Sequence, residues 1–257
     1  MDLIADHISH RFGKLAVLDD VSFTVSAGEV VAIVGPSGCG KSTLLSILGG
    51  LLRPDEGAAE LRGAPPADSL NPLTFVFQDS ALLPWSTVEE NVEFPLLHTA
   101  LTAAERRAVI DDALLRTGLV DFRTTYPKQL SGGMRQRVGI ARALAVRPAI
   151  LLMDEPLSAL DSQTRELLME DFVRLLADGA MGAVYVTHNL EEAVRLADRV
   201  VVLSRRPGRI REIVTIPMMR AERGGSGARA QMVSLQGELW SLIRNEAIDA
   251  EREVQHA

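Results

Sequence analysis

The chain has 257 residues, of which 47% are hydrophobic and 24% charged, and its formal net charge is −7. This acidic balance excludes a general nucleic-acid binder, because such proteins use surplus Lys and Arg to neutralise phosphates, and no nucleic-acid partner is expected. The single cysteine excludes a disulfide-stapled scaffold, and the apolar share excludes a disordered chain. The apolar runs are short and the N-terminus has no signal-peptide pattern, so we expect a cytosolic globular protein.

The apolar runs predict the strands of an α/β fold. Two early segments, around Ile4–Ser9 and Val21–Val25, alternate in polarity and are expected to be antiparallel strands. Runs that are apolar at nearly every position favour parallel strands covered on both faces of a sheet. Four such strands are predicted in the rest of the chain, at Val30–Val34, Ala149–Met153, Ala183–Thr187 and Arg199–Leu203.

Helices are predicted between these strands. Lys41–Leu52 has a helical composition, and Thr102 with Glu105 three residues later forms a capping box that opens another helix. Asn189 and Glu192 have the same spacing and suggest the same capping. The chain is therefore expected to alternate strand and helix over most of its length.

The last part of the chain has a different composition. Glu222–Arg229 (ERGGSGAR) is the predicted linker, because Gly and Ser disfavour both helix and strand. Arg199–Arg229 is basic, and such a run is usually a solvated face, with contact to anionic lipid headgroups as the alternative. Beyond the linker, an amphipathic tail helix is expected to pack its apolar stripe on the body of the protein, through Leu235, Leu239, Leu242 and Ile243.

A phosphate-binding motif follows the first buried strand. Gly35–Ser42 (GPSGCGKS) fits G-x-x-x-x-G-K-[ST] and precedes a helix, as this motif requires. Its glycines allow backbone N–H groups to face an anion, Lys41 supplies a charge for the β- and γ-phosphates, and Ser42 can ligate Mg²⁺. The candidate ATP-binding residues of this segment are Gly35, Pro36, Ser37, Gly38, Cys39, Gly40, Lys41, Ser42 and Thr43.

Two adjacent acids end the second buried strand. Asp154 stands where a protein with a phosphate loop places the carboxylate that holds the Mg²⁺ shell. Glu155 follows at the carboxyl end of the strand, and we expect it to orient or deprotonate the attacking water. The alternative interpretation is a pair of solvated loop acids. The presence of the phosphate loop makes this alternative the weaker of the two.

A second anion site is predicted at Leu130–Arg137 (LSGGMRQR), where Ser131 is a good N-cap and the two glycines leave backbone donors uncovered. This segment resembles the signature of the ATP-binding-cassette (ABC) ATPases. Other motifs of that family occur in the same order over about residues 3–211. They place a Q-loop at Gln78, a D-loop at Asp161, a switch histidine at His188 and an adenine-stacking aromatic at Phe12.

The resemblance implies a fold and a division into domains. The fold class would be α/β, an ABC-type nucleotide-binding domain with a mixed, mainly parallel sheet core, an antiparallel β subdomain and an α-helical signature subdomain. Residues 1–221 would form the ATPase domain, with the helical subdomain at about 79–147, and residues 222–257 the linker and tail helix. Catalysis is assigned to Glu155, His188 and Gln78, and Mg²⁺ ligation to Ser42, Gln78 and Asp154.

The resemblance also implies partners. Two cassettes would face head to tail, so that each ATP lies between one phosphate loop and the partner's signature residues, Ser131, Gly132, Gly133 and Gln136. A single copy of each motif favours a homodimer, with a paralogous second ATPase subunit as the alternative. Transmembrane permease subunits would contact Leu83, Pro84 and Trp85, and a secreted solute-binding protein would deliver the solute. The chain would then be peripheral, on the cytoplasmic face of the inner membrane.

Leu82–Trp85 (LLPW) and Ser204–Ile210 (SRRPGRI) resemble the nitrate/sulfonate/taurine import branch of the family. Asn189, where Asp is usual, and the irregular segment before the Q-loop depart from that pattern and leave the solute open. Two other functions stay in view, the ATPase of an exporter or lipid-trafficking system and a soluble non-transport ABC ATPase. Such soluble proteins usually carry coiled-coil insertions, zinc cysteines or duplicated cassettes, and none of these is recognisable here.

Overall fold

A computed structural model describes residues 1–177, 181–223, 225 and 227–254, with side chains described up to residue 244. The strands are β1 (Asp2–Phe12), β2 (Leu15–Val25), β3 (Val30–Val34), β4 (Glu56–Arg62), β5 (Leu73–Val76), β6 (Ile150–Asp154), β7 (Gly182–Val186), β8 (Arg199–Leu203) and β9 (Ile210–Thr215). The α-helices are α1 (Lys41–Leu48), α2 (Val88–Glu93), α3 (Ala103–Arg116), α4 (Gly132–Ala145), α5 (Ser162–Ala177), α6 (Leu190–Leu196) and α7 (Arg229–Val254).

The strands form two sheets. One is antiparallel, in the order β2-β1-β4, and the other has six strands in the order β5-β6-β7-β3-β8-β9. All neighbours in the second sheet are parallel except β9, which runs antiparallel to β8. A mixed, mainly parallel sheet beside an antiparallel one matches the predicted fold class.

The strand order brings three chain segments to one edge of the large sheet. Strand β7 lies between β6 and β3, and all three run in the same direction. Their carboxyl ends therefore meet, with Val186 in register with Asp154 on one side and Ile33 on the other. Ligand sites of open α/β sheets lie at this edge, so the segments after β3, β6 and β7 are the ones to compare with the predicted site residues.

The core consists of three apolar clusters. Two cover opposite faces of the large sheet, one against α1 and the antiparallel strands and the other against α4–α7. The third lies within the helical region and contains residues from Val88 to Val146. All five residues of β3 are fully buried, which explains why its sequence is apolar at every position.

The tail helix belongs to the second of these clusters. Leu235, Leu239 and Ile243 are buried in the cluster that also holds α6 and β8, and Leu242 packs against it. The predicted apolar stripe therefore covers the body of the protein. Burial of each such side chain contributes about 1.5–3 kcal/mol, which makes α7 an integral layer and not a separate arm.

Part of the predicted linker is anchored. Gly224 and Ser226 lie outside the described residues, but Arg223 just before them is 4% exposed. Its guanidinium caps the end of α6 and the turn after β9 by donating to the carbonyl oxygens of Val194, Arg195, Ala197 and Met218. Burial lowers the pKa of Arg223 to about 10, so this anchor stays charged at neutral pH.

The arginine-rich segment is not a free basic face. Arg199 pairs with Glu29, Arg209 with Asp19, and Arg220 with Asp198 at 3.7 Å. Because these arginines are matched by carboxylates from distant parts of the chain, the excess charge along the sequence is largely compensated in three dimensions. This pairing favours neither interpretation of the segment, as a solvated basic face or as a face that contacts lipid headgroups.

The helix ends show which capping predictions hold. Thr102 and Glu105 exchange both capping bonds at the start of α3, as predicted. Helix α1 ends four residues before the predicted Leu52, because Gly50 adopts a left-handed φ of +70°. Asn189 caps α6 by accepting from the N–H groups of residues 191 and 192, but Glu192 does not complete a capping box. Its side chain turns into the core instead.

No helix in the part of the chain that the structure describes combines the length and the apolar character that crossing a bilayer requires.

Candidate active site

The phosphate loop connects β3 to α1 and is tightly packed. Gly38 and Gly40 have left-handed φ values of +75° and +106°. A Cβ on Gly40 would also lie 2.8 Å from Leu18 Cδ2, so both the backbone conformation and the space require glycine there. The chain thus enters α1 with the backbone donors of its first turn directed at the sheet edge, which is an anion-binding arrangement.

Lys41 is held inside this loop. Its ammonium donates to the carbonyl oxygens of Gly35 at 2.9 Å and Pro36 at 3.0 Å, and the residue is only 7% exposed. An ammonium has three donors, so one remains for a ligand oxygen. A buried positive charge beside a nest of N–H groups favours an anion with several oxygens, such as a polyphosphate.

Ser42 and Asp154 meet across the sheet edge. Ser42 Oγ donates to Asp154 Oδ1 at 3.2 Å, which joins the start of α1 to the end of β6. Burial raises the pKa of Asp154, the bond from Ser42 opposes that rise, and the charge of Glu155 adds to it. A hydroxyl and a carboxylate are hard oxygen ligands of the type that Mg²⁺ prefers.

Glu155 and His188 form the second pair at this edge. His188 Nδ1 lies 3.1 Å from Glu155 Oε2, although the two residues are 33 positions apart in sequence. Glu155 has a left-handed φ of +43°, uncommon for a residue with a side chain and frequent at functional sites. Its N–H donates to Val186 O at 3.0 Å, which ties the turn after β6 to the end of β7.

Gln78 and part of the signature segment share a neighbouring cavity. Gln78 follows β5, the edge strand beside β6, and lines a cavity of about 370 Å³. The other residues lining this cavity include Gly132 and Gln136 from the start of α4 and Pro156 just after Glu155. The structure therefore brings the predicted Q-loop next to both the catalytic candidates and the signature helix of the same subunit.

The signature helix begins as predicted, but its residues differ in exposure. Ser131 caps α4 by accepting from Met134 N at 3.3 Å, and Gly132 is exposed at the helix start. Gly133 is buried. Gln136 is 5% exposed and donates to Phe77 O at 3.4 Å, so within this subunit it connects α4 to the segment after β5.

The predicted D-loop residue and adenine-stacking residue lie at element ends. Asp161 caps α5 and accepts from Gln163 N, Thr164 N and Thr164 Oγ1, and the bonds from Thr164 lower its pKa. Phe12 ends β1, is 53% exposed, and contacts the ring of His10 edge-to-face at 4.7 Å. An exposed aromatic ring is available for stacking on a base.

Trp85 is the most exposed of the large apolar side chains, at 74%, and a buried amide fixes its loop. Asn91 is fully buried and accepts from Leu83 N at 2.8 Å while its amide donates to the carbonyl oxygens of residues 83, 86 and 87. Sequence reasoning assigned no role to Asn91. In the sequence, Asn91 belongs to the segment Glu90–Val92, which contributes to the resemblance to the import branch but does not show that the amide is buried.

Cys39 lies within the phosphate loop with its thiol 1% exposed, and burial raises its pKa. A raised pKa lowers the thiolate fraction at pH 8, and the thiolate is the reactive species. We therefore expect less than about a tenth of the thiol to react with a disulfide reagent in the time that the denatured protein reacts fully. The rate at which the reagent releases its chromophore, measured with and without denaturant, tests this expectation. Equal rates in the two conditions would contradict it.

Known proteins resemble this chain over most of its length. A family model described as ABC transporter matches residues 18–158. The taurine import ATP-binding protein TauB of Chromobacterium violaceum is 44% identical over 230 residues, which are 89% of this chain and 88% of that protein. The bicarbonate transport ATP-binding protein CmpD of Synechocystis is 43% identical over 211 residues, which are 81% and 75% of the two chains.

A solved structure shows the same fold. A post-hydrolysis dimer of the ATP-binding cassette MJ0796, bound to ADP and phosphate, superposes with a TM-score of 0.71 at 35% identity, covering 84% of this chain and 99% of that one. The predicted fold class and the predicted resemblance to the nitrate/sulfonate/taurine branch are confirmed. The chain therefore belongs to the ABC transporter family, and its enzyme class is the ATPase of that family.

Proposed function

We propose that this chain is the energy-coupling ATPase subunit of a membrane importer for a small anionic solute of the sulfonate, taurine or nitrate type. The observation that carries the ATPase part is the Glu155–His188 contact at 3.1 Å on the same sheet edge as the phosphate loop. The importer part is supported by the names of the taurine and bicarbonate relatives.

The proposed hydrolysis assigns a separate task to each residue. Lys41 and the N–H groups of the loop hold the phosphates, and Phe12 stacks on the base. Glu155 accepts a proton from the attacking water. His188 contacts the Glu155 carboxylate and helps to hold that carboxylate in place. Gln78, from the adjoining cavity, orients groups around the γ-phosphate.

Mg²⁺ fits the residues at the sheet edge. Among the described residues no group of three or more His, Cys, Asp or Glu side chains could hold a metal. Mg²⁺ is usually held by one or two carboxylates and completes its shell with water and phosphate, so Asp154, with Ser42 and Gln78, would suffice. When bound, the ion would neutralise charge on the transferred phosphoryl group.

We infer that two copies of the chain share each ATP. The loop and the signature residues Ser131 and Gly132 are far apart in sequence, and Gly132 is exposed where a second molecule can reach it. A symmetric dimer would place each signature helix on the partner's ATP and form two equivalent sites. The loss of the γ-phosphate would then remove a bridge between the copies, and their separation would drive transport.

The proposed membrane partner docks at Leu83, Pro84 and Trp85. Asn91 anchors the backbone of this loop and leaves the Trp85 indole in solvent, which suits an interface hot spot. The chain would lie on the cytoplasmic face of the membrane, beneath permease subunits that receive solute from a secreted binding protein. An exporter or lipid-trafficking ATPase would use the same ATP chemistry, so the direction of transport must be measured.

The test uses proteoliposomes that contain this chain and a permease that co-purifies with it. ATP is inside, and a binding protein and labelled taurine, nitrate or bicarbonate are outside. We expect ATP-dependent accumulation of one of these anions. Trp85→Ala should reduce co-purification with the permease at least about tenfold, as hot-spot truncations do. Trp240→Ala, which removes the other exposed tryptophan, is the control. Efflux, or equal capture of both variants, would contradict the proposal.

A further inference from the structure

A carboxylate is buried directly behind His188. Glu192, in the first turn of α6, is 4% exposed, and its Oε2 accepts from Tyr185 Oη at 2.9 Å and from Thr187 Oγ1 at 2.7 Å. Tyr185 and Thr187 are themselves 0% and 2% exposed. A polar group is costly to bury without partners, and here two hydroxyl donors meet one carboxylate oxygen, which fixes the side chain in place.

The same carboxylate faces a second loop of the site. Glu192 Oε1 lies 3.8 Å from Arg165 Nε, and the other end of that guanidinium donates to Leu160 O at 2.8 Å. Leu160 belongs to the loop between Glu155 and α5, next to Asp161. Through Arg165, Glu192 therefore connects the turn after β7 with the turn after β6.

The chain on both sides of His188 depends on this network. Thr187 precedes His188, and its Oγ1 donates to Glu192 while accepting from Asn189 N at 2.9 Å. The side chain of His188 is 62% exposed and contacts Glu155. Because so little packing holds the imidazole, its position must follow from its two chain neighbours.

We propose that Glu192 is a positioning residue that holds His188 against Glu155, through Thr187 on one side and through Arg165 and the loop at Leu160 on the other. The inference rests on the proposed role of His188 in hydrolysis. Glu192 touches neither ATP nor the reacting water. It sets the geometry of the residues that do, and it makes the two turns at the sheet edge move as one unit.

Glu192→Gln keeps the shape of the side chain but has only one acceptor oxygen, so when that oxygen keeps the bonds from Tyr185 and Thr187, an amide NH₂ faces Arg165. We expect kcat for ATP hydrolysis to fall about tenfold while the equilibrium affinity for ATP stays within about twofold. Glu191→Gln is the matched control, because Glu191 is the preceding residue on the same helix and is exposed. Thr187→Val, which removes the bridging hydroxyl, should reproduce the loss if the Gln variant folds poorly.

A double variant separates positioning from general damage. If Glu192 acts through His188, Glu192→Gln should lower kcat in the wild-type background and add nothing in a His188→Ala background. An equal further loss in both backgrounds would overturn the inference. As a second measurement, the NMR signal of the His188 ring should shift in Glu192→Gln and not in Glu191→Gln; an unchanged signal would also overturn it.

The same variants test the proposed role of His188 separately from the role of Glu192. His188→Ala alone tests the role of the histidine, and a normal kcat for that variant would contradict both the role and the inference. A defective His188→Ala together with a normal Glu192→Gln would contradict the inference only. Loss of kcat in both single variants, without further loss in the double, supports both.

Discussion

Replacing Glu155 by Gln is expected to lower the kcat of ATP hydrolysis by about 10²–10⁴-fold, the usual contribution of a positioned general base. The amide has the same size but cannot accept a proton from water. ATP binding should persist, because the phosphate loop and Lys41 bind the phosphates and Glu155 belongs to a different strand end. Phosphate release and equilibrium ATP binding, both measured with Mg²⁺, check the two parts of this expectation.

The control for Glu155→Gln is Glu170→Gln, the same substitution at an exposed position on α5. This variant should hydrolyse ATP at the wild-type rate and have the wild-type melting temperature. A Glu155→Gln protein that turns over ATP within about threefold of wild type would show that the base is another group. The Glu155–His188 contact would then have a structural role only.

The Glu155→Gln protein with saturating Mg²⁺ and ATP is expected to sediment as a dimer of the 27.9 kDa chain, because unhydrolysed ATP continues to bridge the two copies. Adding Gly132→Asp should weaken this dimer at least about tenfold, since a carboxylate at the signature helix would face the partner's phosphates. Sedimentation velocity over a range of protein concentrations measures the dissociation constant in each case.

Gly132 is the informative position because the structure has space for a side chain there. A Cβ on Gly132 would meet nothing closer than 3.7 Å, whereas a Cβ on Gly133 would lie 2.3 Å from Thr164 Cγ2 and collide with that side chain. Gly237→Asp on the exposed face of α7, where a Cβ would also be unobstructed, is the matched control. An ATP-bound dimer that forms equally well with Gly132→Asp would contradict sharing of ATP between subunits.

Much of the fold follows from local patterns. The strands at residues 30–34 and 199–203 begin and end at the predicted residues, because all their positions are apolar apart from Arg199 at the start of the second. The Thr102 capping box is likewise a short-range signal, complete within four residues. The Asn189–Glu192 prediction was wrong in its second half, since two buried hydroxyls bind the Glu192 carboxylate and the local spacing does not reveal them.

In the candidate site, too, some residues could be predicted from the local sequence and others could not. The phosphate loop is contiguous, so its sequence contains both the glycines and the lysine that the geometry needs. Tyr185, Asn91 and Arg165 were missed because each acts through contacts that no sequence motif marks and that only the folded chain forms. A tyrosine within an apolar strand has the pattern of a core residue, and only the position of Glu192 gives its hydroxyl a role.

By itself, the sequence determined the chemistry of the chain: an anion-binding loop with a lysine, two acids at a strand end and a serine-capped helix that starts with two glycines are each encoded in contiguous residues. The tertiary structure decided which of these groups meet. Because β7 lies between β3 and β6, His188 is placed on Glu155 and Ser42 on Asp154, contacts that span 33 and 112 residues. Strand order is set by packing of the whole core, which no local spacing specifies.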